Sequence, residues 1–290
     1  MLWYVIIIKI VYMAFYCITR EGESNSNKYL KAACKKRGIE YVELYGKTFD
    51  YTQKIPLTKK DLLYRVSTGT SERILENYLV DGTVTTFYQH QFPVRFPGIP
   101  AHQRNDISIP TTIMFAGADR KRLSAYVDHL GGFPIVIKVT GGSHGIGVMK
   151  LDSMSSLLSV VDYLNSRNER FILRQFIDVR GSARLIVLGK KVVDSYEYLT
   201  GDDDFRSNVG EEPTVVKKKF SVEIQKTAIK AVQLIGVEFG GVDILIDSDG
   251  KYYVAEVNYP CYFPRAQGLT GVDTAGMMVD YLVKKSKRRR

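Results

Sequence analysis

Apolar residues recur along this chain in two rhythms, and the switches between them mark out its elements. Residues 14–19 (AFYCIT) and 39–45 (IEYVELY) are short β-rich runs. Between them Tyr29, Leu30, Ala33 and Cys34 fall at helical spacing, behind the N-cap candidates Ser24, Asn25 and Ser26 and ahead of a stop at Gly38. A third strand is expected over 61–66, then a helix over about 70–79 with Ile74, Leu75 and Leu79 on its apolar face. Asp81-Gly82 turns into a further expected strand, TVTTFYQ (83–89). Strand alternating with helix predicts a small α/β domain with a parallel sheet.

Pro93, Pro97 and Pro100 then interrupt the pattern, and FPVRFPGIPAHQRND reads as a linker and domain boundary without helical period. A second unit follows. Strands are expected at 109–115, 134–139, 147–151 and 170–177, with helices over 119–130, closed by Gly131-Gly132, and over 153–165. The last unit has strands at 183–188 and 192–199 joined at Gly189-Lys190. A helix from Ser221 follows, with Ile224, Ala228, Val232 and Ile235 on one face, and a final helix begins near Asp273.

Between those helices lies the stretch GVDILIDSDGKYYVAEVN (241–258), which reads as a β-hairpin turning at Asp249-Gly250. With a two-residue loop, 246 faces 253 and Asp243 faces Glu256. Opposed side chains have Cβ atoms roughly 4.5–5.5 Å apart, where like charges repel. Asn258 points to the same face as Glu256. Two carboxylates and an amide oxygen on one face suit a hard divalent cation, Mg2+ or Mn2+. The alternative is a solvated hairpin face; the apolar runs on both strands argue for burial, where an unpaired acid is costly.

Composition adds three points. The net charge of +10 is concentrated in blocks, Lys217 to Lys219 and the tail from Lys284 to Arg290. Such blocks are either solvated faces or attractors of an anionic partner, such as an acidic peptide or a nucleotide. Cys17, Cys34 and Cys261 have no paired spacing, which points to a reducing, cytoplasmic compartment. Met1 to Ile18 carries one charge, Lys9, placed mid-run. A stable membrane span needs about 20 apolar residues, so residues 1–13 are read as an extra segment, with Met13 an alternative start.

Other stretches carry chemistry. The loop TGGSHGIG (140–147) has four glycines, among them Gly142, Gly145 and Gly147, beside Ser143 and His144. It is either a flexible hairpin or a backbone cradle for an anion. Lys138, on the apolar strand before it, is expected to be buried and to need an anion such as a nucleotide phosphate. In the run 202–208, Arg206 and Asn208 either sit in a solvated acidic turn or clamp a phosphate or carboxylate. Arg184 lies mid-strand and would otherwise form a salt bridge to Glu256 or Asp243. A glycine-rich lid, a lysine, arginines and an acid pair suit phosphoryl transfer.

The order PIVIKVTGGSHGIGV, FILRQFI, RLIVLGKKVV, DFRSN, GVDIL with AEVN, and TGVDTAGMMVDYL resembles the ATP-grasp ligases of the RimK type, over about residues 14–285. The resemblance implies an α/β (α+β) ATP-grasp fold: a pre-ATP-grasp domain at 14–100, a central subdomain at 101–177 and a C-terminal subdomain at 178–290, the last two sandwiching ATP. It implies that Lys138, Gly142, Ser143, Gly145 and Gly147 meet phosphates and that Gln175, Phe176 and Ile177 meet adenine. Ser182 stands at the ribose-side position. Arg184, Arg206, Ser207 and Asn208 would hold phosphates and an acyl phosphate, with Arg184, Arg206 and Asn208 catalytic. Asp243, Glu256 and Asn258 would bind two Mg2+ ions, Mn2+ being an alternative.

The implied activity joins a carboxylate to an amine with ATP, adding an amino acid such as glutamate to a peptide, protein or small molecule. An acidic peptide acceptor suits the basic blocks, and the family often forms homo-oligomers. The chain also departs from the pattern. No lysine stands in the 92–110 segment, where the family has one on a helix. Gln175 and Ser182 replace family acids, and Tyr259-Pro260-Cys261-Tyr262-Phe263 follows the EVN run in place of a Ser-Pro-Gly sequence. These departures motivate a rival, a catalytically weakened nucleotide-binding regulatory protein. A nucleic-acid-binding role has only the basic tail behind it.

Overall fold

A computed structural model describes residues 13–22, 24–95, 97–114, 116–117, 119–140, 145–199 and 214–288. The expectations for 1–12, for the centre of the glycine-rich loop and for the acidic loop lie outside those residues. The chain divides into two compact units, Met1–Arg95 with Gly236–Gly240 and Tyr259–Arg290, and Phe96–Ile235 with Gly241–Asn258.

The first unit opens with β1 (Ala14–Thr19), α1 (Asn25–Lys36), β2 (Glu40–Tyr45), β3 (Leu62–Arg65) and α2 (Thr70–Leu79). Its sheet order is β2-β1-β3, all parallel. β1 and β3 are buried on both faces, as strands of a covered parallel sheet are. Ser24 caps α1 by accepting from the Asn27 amide. On α2 the buried stripe is Glu72, Leu75, Glu76 and Leu79, while Ile74 is exposed, contrary to expectation. The stripe tolerates Glu76 because Arg65 Nε meets it at 2.7 Å, with the Tyr88 hydroxyl donating to the same carboxylate; Glu72 has the Arg20 guanidinium 3.9 Å away.

The expected strand at 83–89 is absent. Thr85 and Tyr88 form only isolated bridges, to Leu62 and Val237. The Tyr88 amide donates to the Thr86 hydroxyl instead of to a ladder partner.

The second unit begins with α3 (Gly98–Gln103), a short helix inside the stretch read as a linker. Its prolines do not prevent it, because Pro97 precedes the helix and Pro100 lies in the first turn, where amides need no intrahelical partner. It continues through β4 (Thr112–Met114), α4 (Arg120–His129), β5 (Ile135–Val139), β6 (Val148–Leu151), α5 (Met154–Ser166) and β7 (Phe171–Gln175). An antiparallel sheet of order β4-β7-β5-β6 packs Ile135, Ile137, Phe171 and Leu173 into one core with Leu123 and Val127 of α4 and Leu157 and Val161 of α5. Ser153 and Ser156 close a capping box on α5.

Then come β8 (Val179–Leu188), β9 (Lys191–Tyr198), β10 (Val215–Lys217), α6 (Val222–Leu234), β11 (Phe239–Asp247) and β12 (Tyr252–Asn258). Their sheet has the order β10-β9-β8-β11-β12 among the described residues. The chain ends in the first unit with α7 (Pro264–Thr270) and α8 (Thr274–Arg288). There Phe239 and Phe263 join Tyr64 and Phe87 in an aromatic cluster, and Lys285 ties Glu238 to the Tyr88 carbonyl.

Candidate functional site

The β11–β12 hairpin turns through residues 248–250, one residue more than expected. The Asp247 amide donates to the Lys251 carbonyl, and the Asp247 side chain accepts from the amides of Asp249 and Lys251. Gly250 takes the positive φ of 78° that such a turn requires. Ile246 therefore faces Tyr252, not Tyr253. Ile244 faces Val254, yet Asp243 faces Glu256, so Ala255 is an extra residue in a β-bulge. The bulge cancels the shift from the longer turn and puts the two acids face to face.

Each acid has its own cation. Arg184, on β8, places Nε 2.8 Å from Asp243 Oδ1. Lys138, on β5, places Nζ 3.0 Å from Glu256 Oε2. It is only partly buried, not enclosed as the apolar strand suggested. Asn258 Nδ2 donates to Asp243 Oδ2 at 2.9 Å, which turns its amide oxygen away from that bond. Burial pushes the Asp243 carboxyl up to about 6; Glu256 adds to the rise, while Arg184, Asn258 and Lys138 oppose it.

This geometry fits a hard cation. Asp243 Oδ1 is buried and accepts no hydrogen bond, Arg184 lying close but out of line. Carboxylate and amide oxygens are the donors that Mg2+ prefers. Among the described residues no group of three His, Cys, Asp or Glu side chains gathers as a metal cluster. The candidate set is two acids and an amide.

Arg174 is a group that the sequence reading missed. It is buried on β7, donates from Nη1 to the Ala255 carbonyl at 3.2 Å and from Nε to Thr112 at 3.1 Å. It thus holds the bulge that sets the acid register. Burial lowers its pKa and the Glu256 charge opposes that shift. Its signal was an arginine inside the apolar run FILRQFI.

The remaining residues are spread over the same unit. Gln175 ends β7, its amide donating to Thr111 O at 2.9 Å. The Phe176 ring carries the Lys150 ammonium 4.7 Å from its centroid, and Ile177 is buried. Ser182 is buried on β8 opposite Tyr198. Gly145 and Gly147 have φ of 73° and 80°, and a Cβ on Gly147 would stand 3.1 Å from Val139 Cβ, so both backbone and space favour glycine there. Gly142, Ser143, Arg206, Ser207 and Asn208 lie outside the described residues.

A sequence model described as the RimK-like ATP-grasp domain matches residues 99–282. A protein of Cellvibrio japonicus (strain Ueda107) named probable alpha-L-glutamate ligase is 34% identical over 187 residues, 63% of this chain and 61% of that protein. A probable alpha-L-glutamate ligase 2 of Pseudoalteromonas atlantica (strain T6c / ATCC BAA-1087) is 31% identical over 186 residues, 63% of this chain and 61% of the relative. The chain thus spans about three fifths of the length of these relatives. Among solved structures, the ATP-grasp ligase PsnB complexed with minimal precursor, Mg and ADP aligns with a TM-score of 0.72 at 16% identity, over 94% of this chain and 97% of that one. D-alanine–D-alanine ligase from Bacillus anthracis complexed with ATP aligns at 0.67 and 15% identity, over 96% and 98%. At such identities these two speak for the fold.

Proposed function

The chain belongs to the RimK-like ATP-grasp family, and from that premise we propose that it is an ATP- and Mg2+-dependent, ADP-forming ligase. It would join a carboxylate to an amine through an acyl phosphate, adding an amino acid such as glutamate to a peptide, protein or small molecule. The observation that carries this reading is the bulged register that opposes Asp243 to Glu256, with Asn258 beside them.

In this reading Asp243, Glu256 and Asn258 hold Mg2+, two ions or one, with Mn2+ an alternative. The bound ion supplies neutralisation of phosphate charge, which is the main requirement of phosphoryl transfer. Lys138 and Arg184 already stand at the acid pair, so the positive charge needed by phosphate oxygens is positioned beforehand. Arg206, Ser207 and Asn208 would complete that set. The 140–147 loop would cover phosphates with its amides. Gln175, Phe176 and Ile177 would meet adenine, and Ser182 would stand on the ribose side. The sequential partition at residues 100 and 177 belongs to the same proposal, as does a cytoplasmic setting. Among the described residues no helix is long and apolar enough to cross a membrane.

The test is mass spectrometry of products after incubation with ATP, Mg2+ and pools of amino acids and peptides. A product heavier than an acceptor by one amino-acid residue, formed together with ADP, is the expected result. Binding of ATP analogues with no turnover across the pools favours a weakened nucleotide-binding protein. The observation favouring that second reading is α3, which carries no lysine where the family pattern has one.

A further inference from the structure

A concavity lies within the first unit, between the start of α1 and α7. It encloses about 550 Å3, inside the range of small-ligand pockets, roughly 300–1,000 Å3. Asn25, Lys28 and Tyr29 line it from α1, and Tyr262, Arg265 and Gly268 from the other side. Two of its lining residues are cations and none is an acid.

Arg265 is the unusual member. It occupies the second position of α7, at the end of the helix where the peptide dipoles disfavour a cation. It is half-buried, and among the described residues it has no ionic or hydrogen-bonding partner. A guanidinium held there without compensation is poised for an anion from outside the chain. The aromatic surroundings narrow the class. Tyr262 is 52% exposed at the mouth, which leaves its ring face open to a ligand's carbon stem. The Tyr29 hydroxyl lies 3.7 Å from where a Cβ on Gly268 would stand, on the same lining. Topology agrees. The order β2-β1-β3 places β1 at the switch point of the sheet, and ligands of open α/β sheets collect outside the carboxyl ends of strands there. α1 starts just beyond the carboxyl end of β1.

We propose that this cavity is a carboxylate subsite that takes a glutamate or aspartate residue, or the terminal carboxylate, of an acidic peptide. Arg265 grips the carboxylate with its fork, Lys28 adds charge at the rim, and Tyr29 and Tyr262 pack on the stem. That the peptide is the acceptor of a ligation rests on the function proposed above; the preference for a carboxylate does not.

The test is calorimetry on the full chain with tri-glutamate, tri-glutamine and inorganic phosphate, together with a separate titration of a non-hydrolysable ATP analogue with Mg2+. Tri-glutamate is expected to bind and tri-glutamine not. Arg265→Ala is expected to weaken tri-glutamate at least tenfold, Arg265→Lys several-fold, and Lys28→Ala with Arg265→Ala to abolish binding. The ATP analogue is expected to bind all variants as it binds the parent chain. Equal affinity of parent and Arg265→Ala chains for tri-glutamate, or no binding by the parent, overturns the proposal. Phosphate binding as tightly as tri-glutamate overturns the peptide assignment. Failure of the ATP analogue alone would count against the ligase reading and leave the carboxylate subsite standing.

Discussion

Lys138 and Arg184 divide the work of neutralising two opposed acids, and a divalent ion would compete with both for the same oxygens. Replacing Lys138 by Met keeps the stem and removes the charge. Charge-assisted hydrogen bonds contribute roughly 1.5–3 kcal/mol, so an ATP analogue with Mg2+ should bind about tenfold or more weakly in calorimetry. The melting temperature should barely move, because the Lys138–Glu256 pair is half-exposed. Arg174 should behave in the opposite way. It is buried and holds the Ala255 carbonyl, so Arg174→Ala should cost roughly 2–4 kcal/mol in urea unfolding, with activity falling as the bulge loosens. Arg184 was legible in the sequence as a partner for Glu256 or Asp243, because strand alternation gives its face; the structure pairs it with Asp243. Arg174 was not, since its partner is a backbone carbonyl exposed only by the bulge. No side-chain pattern announces such a partner.

The hairpin shows how a correct pairing can survive an incorrect register. A two-residue turn was the simplest reading of Asp249-Gly250, but the Asp247 side chain satisfies the amides of a longer one. The extra residue at Ala255 then restores Asp243 to Glu256. The proline-rich stretch shows the reverse case, in which prolines hid the short helix α3. That helix supplies a pH test. His102 is buried, and its Nε2–H donates to the Ala231 carbonyl of α6 at 3.1 Å. Burial holds its pKa below the ordinary value of 6.5. The unfolded chain therefore binds this proton more readily than the native one. The stability contribution is complete above about 6.5 and declines as the pH falls through and below that value. Melting curves across pH 5 to 8, in the roughly neutral range where His titrates, should show a steeper acid-side decline for the parent chain than for His102→Asn.

Across the whole chain, the mixed helix-and-sheet fold was legible because local signals agreed: capping serines, glycine stops, and strand runs of the right length; the family was legible only through the resemblance carried by the order of its motifs, DFRSN and GVDIL with AEVN among them. What was not legible is that residues 236–240 and 259–290 fold with residues 1–95. That assembly depends on contacts remote in sequence, such as the Tyr64 hydroxyl with Cys261 and the packing of Phe87 on Phe239. A chain lacking residues 14–95 should therefore leave Phe239, Phe263 and Tyr281 without their cover. It should bind a hydrophobic dye and lose cooperative melting, whereas a chain that melts as sharply as the parent would break this account of the first unit. The central claim is that Asp243 and Glu256 form a divalent-ion platform for ATP. Its most direct test is calorimetric titration of a non-hydrolysable ATP analogue, with and without Mg2+, into the parent chain, Asp243→Asn and Glu256→Gln. The account predicts that Mg2+ strengthens binding to the parent by at least tenfold and has little effect on either variant. Equal enhancement by Mg2+ in all three proteins would contradict it.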